Sequence, residues 1–212
     1  MPGKLKKSVS MSVIRRLPRY YRFTGELIEQ GIVRISSGEL AKRMAVTASQ
    51  IRQDLNCFGG FGQQGYGYNL VELREEIGKI LGVDQSYKTV LIGAGNLGAA
   101  IAAGMNFKKY GCELIGVFDS DPNKHGKKVA GFKIQGLEAL GEFCKREAPD
   151  MAVLCTPKSA VHELADALIS YGVKAFWNFG HYDLSLTHKD ILVENVHLGD
   201  SIMTLTYEIR NN

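Results

Sequence analysis

A glycine-rich segment in the middle of the chain constrains the fold more than any other feature. The run of residues 89 to 92 is short, apolar and partly β-branched, which predicts a strand buried within a parallel sheet. Gly93, Gly95 and Gly98 follow directly in the pattern G-x-G-x-x-G, and alanines then favour a helix. The segment therefore predicts a strand, a tight turn and a helix whose N-terminal end faces a phosphate group.

The next apolar segment adds a second element of a dinucleotide site. Glu113 to Phe118 is a predicted strand that ends in Asp119, 21 residues after Gly98. An acid at this distance binds the adenosine ribose hydroxyls, and it favours NAD(H) over NADP(H), whose extra phosphate it repels. The alternative is purely structural, because residues 119 to 122 have the composition of a simple turn.

Strands and helices alternate through the rest of this region. Predicted strands at 151–155 and 174–178 flank a predicted helix at 158–171. Such alternation predicts a doubly wound parallel sheet, whose ligands lie beyond the carboxyl ends of the strands. The cofactor-binding residues expected there are Gly93, Ala94, Gly95, Asn96, Leu97, Gly98, Asp119, Ser120, Thr156, Pro157, Asn178 and Phe179.

Charge is distributed unevenly along the 212 residues. Residues 1 to 80 hold 13 Lys and Arg against 7 Asp and Glu, net +6, whereas residues 81 to 212 hold 13 against 15, net −2. Seven basic residues and no acid lie between Lys4 and Arg22, which suits a phosphate backbone, although a solvated basic leader has the same composition. No apolar run is long enough for a membrane span or a signal peptide, so a cytoplasmic protein is expected.

Cysteine and histidine spacing gives no sign of a metal or of a catalytic centre. The four cysteines include no C-x-x-C pair, and the five histidines show neither H-x-x-x-H nor H-E-x-x-H spacing. We therefore assign no metal and no catalytic residue from the sequence. His162 and His181 would serve an oxidoreductase only by elimination.

The basic N-terminal region has the pattern of a helix-turn-helix. A helix is predicted from near Pro18 to Gly31, and two short helices follow at 38–44 and 48–58, the second opened by a capping box from Thr47 to Gln50. The second helix of such a motif enters the major groove of DNA. A further helix, 72–81, closes this region, and 83–87 is the predicted linker.

Exposed polar residues on the second helix are candidates for reading bases, although any amphipathic helix has a polar face. Glycines and aromatics at 58–68 predict a β-hairpin, which is either the wing of a winged helix or a plain surface hairpin. The DNA-binding residues expected from both segments and the basic lead-in are Arg16, Ser49, Gln50, Arg52, Gln53, Gln64 and Tyr66.

The chain as a whole resembles the bacterial Rex family of redox-sensing transcriptional repressors. The resemblance is carried by SSGELAKRMAVTASQIRQDLNCFGGFGQQGYGY at 36–68, GAGNLG at 93–98, FDSDPNKHG at 118–126, NFG at 178–180 and VENV at 193–196. It implies a winged helix-turn-helix domain at 1–82, a Rossmann-type NAD(H)-binding domain at 83–198, and a C-terminal dimerisation helix at 199–212 that is swapped between the two subunits of a homodimer. Periodicity alone leaves this apolar tail open to strand or helix.

Several positions depart from the family's pattern. Gln53 follows Arg52 where the family usually has lysine, and Gln64 stands where the wing usually has a basic residue. By resemblance, Arg22 is the interdomain arginine of the switch. Gly104 and His197 occupy the positions of the family's usual tyrosine and aspartate, so the acidic partner of the arginine is missing.

The expected function is that of a repressor that binds palindromic operator DNA as a homodimer when NADH is scarce. NADH is then the effector that releases the DNA, and NAD⁺ competes with it. Two alternatives keep the Rossmann fold: an NAD-dependent oxidoreductase, and a module that binds coenzyme A or another nucleotide.

Overall fold

We describe a computed structural model in residues 9–59, 61 and 66–211. The chain divides into two compact units, Met1–Asp84 and Gln85–Asn212, and the division falls within the segment 83–87 that the sequence predicts as a linker. Each unit has its own apolar core.

The first unit is built from helices with one short strand pair. Its described helices are α1 (Met11–Ile14), α2 (Leu17–Glu29), α3 (Ser37–Met44), α4 (Ala48–Asn56) and α5 (Leu70–Leu81), and strands β1 (Arg34–Ile35) and β2 (Tyr68–Asn69) pair antiparallel. Side chains define the helix starts, since Ser36 accepts a hydrogen bond from the Glu39 amide and Thr47 accepts one from the Gln50 amide. Gly82 ends α5 in the left-handed conformation.

The helix-turn-helix prediction is confirmed in its elements. Ala45 supplies the left-handed turn after α3, and α4 follows within three residues. Leu40 of α3 and Ile51 of α4 are both fully buried in the same core, which fixes the two helices against each other. Five of the eleven residues of the predicted hairpin, 60 and 62–65, lie outside the described part, so the hairpin stays a prediction. Tyr68, at its end, pairs with Ile35.

The second unit is a seven-stranded sheet with helices along it. Its strands are β3 (Tyr87–Ile92), β4 (Cys112–Asp119), β5 (Lys128–Val129), β6 (Phe132–Gly136), β7 (Met151–Leu154), β8 (Ala175–Asn178) and β9 (Leu192–Asn195), in the order β5-β6-β4-β3-β7-β8-β9. Only β5 pairs antiparallel among these described strands. The six parallel strands have the Rossmann order, with β3 at the point where the strand order reverses.

Helices connect these strands, and one follows the last strand. They are α6 (Asn96–Gly104), α7 (Leu140–Glu147), α8 (Lys158–Ser170), α9 (Leu184–Thr187) and α10 (Leu198–Asn211), with 3-10 turns at Phe107–Tyr110, Pro122–Lys124 and Leu137–Ala139. The doubly wound α/β fold predicted from the sequence is thus confirmed. No helix in the described residues is long and apolar enough to cross a lipid bilayer.

The tail is helical, as the family resemblance implies. Every described residue of α10 is exposed, and no residue of the helix is buried against the rest of its own chain. Its exposed apolar side chains are Leu198, Ile202, Met203, Leu205, Tyr207 and Ile209. An unpartnered apolar surface of this size is typical of an interface.

Candidate functional site

A crevice of about 710 Å³ opens beyond the carboxyl ends of β3, β4 and β7. Eight of the predicted cofactor residues line it, namely Gly93, Gly95, Asn96, Leu97, Asp119, Ser120, Thr156 and Pro157. The other lining residues are Ile92, Asp121, Lys124, Leu137, Leu140, Cys155, Ala160, Glu163, Leu164, Ala167 and Tyr171. The crevice is at the switch point of the sheet, where doubly wound folds bind their ligands.

The glycine turn cannot carry side chains at two of its positions. Gly93 has φ of +96°, and a Cβ there would collide with the carbonyl oxygen of Cys155. A Cβ on Gly98 would collide with the carbonyl oxygen of Gly93 itself. The glycines therefore let α6 pack directly on the end of β3, as the sequence pattern predicts.

The N-terminus of α6 is open to the crevice. Its N-cap residue is Gly95, so no side chain caps the first amides, and nothing lies within 4 Å of the position a Cβ would take. Uncapped amides at a helix N-terminus carry partial positive charge and lack internal acceptors. This end of the helix fits the pyrophosphate of a dinucleotide.

Asp119 lies at the end of β4 and is only 5% exposed. Its Oδ2 accepts hydrogen bonds from the Ala94 amide at 2.7 Å and Lys124 Nζ at 2.9 Å, and its Oδ1 accepts one from the Asp121 amide at 2.8 Å. Burial opposes ionisation of this carboxyl, but the three donors outweigh burial and hold its pKa below the usual range. A charged acceptor therefore lines the crevice, and its contact with an adenosine ribose stays a prediction.

Lys124 and His125 complete the surroundings of Asp119, and sequence reasoning missed both. Lys124 forms an ion pair with the carboxylate, and a ring nitrogen of His125 lies 2.9 Å from the Asp119 carbonyl oxygen. Both belong to the motif FDSDPNKHG at 118–126, in which only Asp119 and Ser120 are predicted to bind the cofactor. Their contacts with Asp119 depend on the turn after β4, which residue spacing does not reveal.

Thr156 provides a test of whether the crevice suits a polar ligand. Its Oγ1 is buried and has no hydrogen-bond partner in the described part of the chain. Buried hydroxyls in proteins are nearly always paired, and an unpaired one at a crevice wall is satisfied when a ligand supplies the partner. Together with the open α6 terminus and Asp119, this hydroxyl fits a dinucleotide.

Four predicted cofactor residues do not line the crevice. Ala94 acts through its backbone amide on Asp119, and Gly98 is buried under the turn. Asn178 is fully buried and bonds within its own chain to the Tyr182 carbonyl, the Asn195 side chain and the Gly180 amide. Phe179 packs edge-on against Trp177 with ring centroids 4.7 Å apart. A contact of Asn178 or Phe179 with a nucleotide stays a prediction.

The outer face of α4 carries most of the predicted DNA-reading residues. Ser49, Arg52 and Gln53 are exposed, and Nη1 of Arg52 donates to Ser37 Oγ at 3.0 Å. Gln50 is half-buried, and its amide donates to Asp54 Oδ1 at 2.9 Å. In the second predicted segment Tyr66 is 72% exposed, and Gln64 lies outside the described residues.

Arg16 is partly exposed, and its guanidinium forms an ion pair with the buried Asp54. Its Nε and Nη2 donate to both carboxylate oxygens of Asp54, at 2.7 and 2.6 Å, and the hydroxyl of Tyr20 donates to the same carboxylate at 2.7 Å. Burial opposes ionisation of Asp54, yet the bonds from Arg16, Tyr20 and Gln50 hold its pKa below the usual range. The primary contact of Arg16 is therefore structural, and a contact with DNA stays a prediction.

The three expected switch residues lie in different elements. Arg22 forms an exposed ion pair with Glu26 one turn along α2, with 3.8 Å between nitrogen and oxygen. Gly104 is the last residue of α6, and a Cβ there would meet nothing within 4 Å. His197 stacks on His181 with ring centroids 5.6 Å apart. Their roles in a switch stay predictions.

The fold and sites define a class of protein: a helix-turn-helix regulator joined to a Rossmann module with a dinucleotide-type crevice. Residues 8–56 match the family model "Putative DNA-binding protein N-terminus", and residues 84–181 match the model "CoA binding domain". The chain belongs to the Rex family of redox-sensing transcriptional repressors. This assignment confirms a regulator, as expected, rather than an oxidoreductase.

The relatives cover nearly the whole chain. It is 50% identical to the redox-sensing transcriptional repressor Rex of Thermoanaerobacter pseudethanolicus, over 96% of this chain and 91% of that protein. It is 49% identical to Rex of Clostridium perfringens, over 98% and 97%. Among solved structures, RSP in complex with β-NAD⁺ and operator DNA aligns with a TM-score of 0.90, 50% identity and coverage of 97% and 94%. RSP in complex with β-NADH aligns with a TM-score of 0.88, 47% identity and coverage of 97% and 96%.

Proposed function

We propose that this protein is a transcriptional repressor that binds operator DNA and releases it when NADH occupies the crevice of its Rossmann unit. The observation that carries the proposal is the open N-terminus of α6 beside Asp119, in a chain that also presents an exposed α4. The complexes of RSP with operator DNA, NAD⁺ and NADH support the same ligands for this chain.

The nucleotide is held by complementary charge. The amides of the α6 N-terminus bind the pyrophosphate, and Asp119 accepts a hydrogen bond from an adenosine ribose hydroxyl. Thr156 donates its unpaired hydroxyl proton to the ligand. NADH acts as the effector and NAD⁺ competes for the same crevice, while the chain itself catalyses no reaction on either.

The DNA is read by α4. Arg52, Ser49 and Gln53 face the major groove, where an arginine pairs with guanine and a glutamine with adenine. The net charge of +6 in residues 1 to 80 supplies attraction to the phosphates. Because a palindromic operator requires two reading helices, the protein acts as a homodimer. Its α10 is swapped between the two subunits, and the apolar face of the helix is covered by the partner. The dimer acts in the cytoplasm.

The coupling between the two ligands is thermodynamic. NADH weakens DNA binding only by binding the DNA-incompetent arrangement more tightly, and each tenfold loss of DNA affinity requires about 1.4 kcal/mol of coupling. By reciprocity, operator DNA must weaken NADH binding by the same factor. NAD⁺ has less preference between the two arrangements and so competes without releasing the DNA.

The test is a fluorescence-anisotropy titration of the full chain on a palindromic operator duplex, with NADH, NAD⁺ or neither. We expect NADH to weaken binding at least tenfold and NAD⁺ to relieve that effect. Arg52→Ala should lose about 1 to 3 kcal/mol of specific binding, whereas the control Arg146→Ala, an exposed arginine of the Rossmann unit, should not. DNA binding that ignores both nucleotides would overturn the proposal.

A coenzyme A ligand is the second candidate, favoured by the family model that matches residues 84–181. Both ligands present a pyrophosphate to the α6 N-terminus, but coenzyme A carries a phosphate on its ribose. The Asp119 carboxylate repels that phosphate. A coenzyme A arm in the same titration separates the two, since release of DNA by coenzyme A but not by NADH would favour the second candidate.

A further inference from the structure

A second cluster of ligating side chains lies apart from the nucleotide crevice. His162 and Asp166 are one turn apart on α8, and His188 follows the end of α9. Nδ1 of His162 lies 2.9 Å from Asp166 Oδ2, and Nε2 of His188 lies 2.8 Å from Asp166 Oδ1. One ring nitrogen of each histidine and one carboxylate oxygen all lie within 4.8 Å of one another.

The cluster lies on a different face of α8 from the crevice. The residues of α8 that line the crevice are Ala160, Glu163, Leu164 and Ala167, whereas His162 and Asp166 are not among its lining residues. The cluster is therefore separate from the nucleotide crevice. Histidine spacing in the sequence does not predict this cluster, because His162 and His188 lie 26 residues apart and meet only in the folded chain.

His188 is held in a ligating orientation from its far side. Its Nδ1 lies 2.9 Å from Thr187 Oγ1, and that hydroxyl also lies 3.3 Å from the Leu184 carbonyl oxygen, to which it donates. A histidine that ligates a metal typically donates its other ring proton to a carboxylate, carbonyl or water oxygen, and the Thr187 hydroxyl oxygen takes that place here. The side chain is 16% exposed, so its ring is partly fixed by packing.

The donor set selects the class of ion. Two imidazole nitrogens and one carboxylate oxygen suit a borderline divalent metal such as Zn²⁺, not Mg²⁺ or Ca²⁺, which prefer oxygen ligands alone. A tetrahedral zinc ion at about 2.0 to 2.1 Å from its ligands places their atoms roughly 3.3 Å apart. Small side-chain rotations of the exposed His162 and Asp166 reach that spacing.

We propose that His162, Asp166 and His188 form a Zn²⁺ site with a fourth position filled by water. The ion takes the place of the present contacts between the imidazoles and the carboxylate, and it links α8 to the segment after α9. The site departs from the expectation of no metal, which rested on histidine spacing alone.

The test is isothermal titration of ZnCl₂ into the full chain after removal of metals with EDTA. We expect one ion per chain with a Kd below about 10 µM (roughly −7 kcal/mol). His162→Gln, Asp166→Asn and His188→Gln should each weaken binding more than tenfold. Thr187→Val keeps all three ligands but removes the hydroxyl that contacts Nδ1 of His188 and the Leu184 carbonyl, and it should weaken binding by about tenfold.

His181→Gln is the matched control, because His181 is an exposed histidine stacked on His197 outside the cluster. It should leave zinc affinity unchanged, and the thermal transition of every variant in EDTA should match that of the wild type, which excludes misfolding. Wild-type zinc affinity in His188→Gln would overturn the proposal, as would loss of zinc binding in His181→Gln or wild-type binding weaker than about 10 µM.

Discussion

Each unit contains a buried, ionised aspartate, and different hydrogen-bond donors stabilise the charge of the two carboxylates. Asp54 on α4 is 1% exposed and Asp119 at the end of β4 is 5% exposed, and hydrogen bonds keep the pKa of both carboxyls below the usual range against the cost of burial. Asp54 receives its bonds from side chains, those of Arg16, Tyr20 and Gln50. Asp119 receives two of its three from backbone amides.

The two carboxylates differ in the number of acceptor positions that remain free. A carboxylate has about four acceptor positions. Asp54 uses all of them, two on each oxygen, so it is a closed structural centre that holds α4 to α2. Asp119 accepts three bonds and lines an open crevice, so one position on Oδ1 remains for a ligand hydroxyl. Acceptor capacity, more than burial or pKa, separates a structural acid from a binding one.

The largest expected effect is on folding of the first unit. Asp54→Ala leaves the buried Tyr20 hydroxyl without its acceptor and the 37%-exposed Arg16 without its counter-ion. It should lower the free energy of unfolding by about 2 to 4 kcal/mol. Urea unfolding, monitored by hydrogen exchange of the backbone amides in residues 9–59, measures this loss of stability. Glu26→Ala, which removes an exposed ion pair with Arg22, should stay within about 1 kcal/mol. Equal losses in the two variants would contradict a structural role for Asp54.

The two aspartates also differ in how visible they are in the sequence. Asp119 stands at a fixed distance from a glycine turn, so its position could be predicted from spacing. Asp54 binds Arg16 and Tyr20, which lie 38 and 34 residues away. No local pattern joins them, and Arg16 was instead assigned to DNA because it lies in a basic segment.

The same difference between local patterns and distant contacts decides which parts of the fold can be predicted from the sequence. Helices with capping residues, such as those after Ser36 and Thr47, were predicted to within about two residues because the signal is local. The edge strands β5 and β9 and the short α9 were missed, since two to four residues carry no periodicity. The buried Asn178 was assigned to the ligand because strand ends gather at the crevice, but its three hydrogen bonds form only in the folded chain.

The second effect should fall on the ligand and leave folding largely intact. Asp119→Ala removes the acceptor for the ribose hydroxyl and the partner of Lys124, and we expect NADH affinity to fall about 10- to 100-fold, or roughly 1.4 to 2.7 kcal/mol. Calorimetry measures this, with the exposed Asp190→Ala as control. DNA binding without nucleotide should be unchanged. Loss of DNA binding in Asp119→Ala would instead make Asp119 a structural acid like Asp54.

A smaller effect tests whether Asp54 really uses every acceptor position. Tyr20→Phe removes one hydrogen bond to the charged carboxylate, and should destabilise the first unit by about 1.5 kcal/mol. The control is Tyr21→Phe, which keeps the ring that faces the Arg74 guanidinium and should change stability by less than about 0.5 kcal/mol. Denaturant midpoints compare the two. A neutral Tyr20→Phe would mean that another donor replaces the hydroxyl, and that the centre is less closed than its geometry indicates.

Lowering the pH should destabilise each unit through its own buried aspartate. Because each folded pKa is lowered, each carboxylate stabilises its unit fully above the pKa of about 3.9 of an unfolded chain, and that stability is lost as pH falls through the folded value. Trp177, the single tryptophan of the sequence, lies on β8 and reports unfolding of the second unit. Between pH 5 and 2, Asp119→Ala should flatten the pH dependence of the tryptophan transition, while Asp54→Asn should flatten only that of hydrogen exchange in residues 9–59. If either variant flattened both, the two carboxylates would share one folding unit, and the contrast between a closed and an open acid would have to be explained within a single cooperative structure.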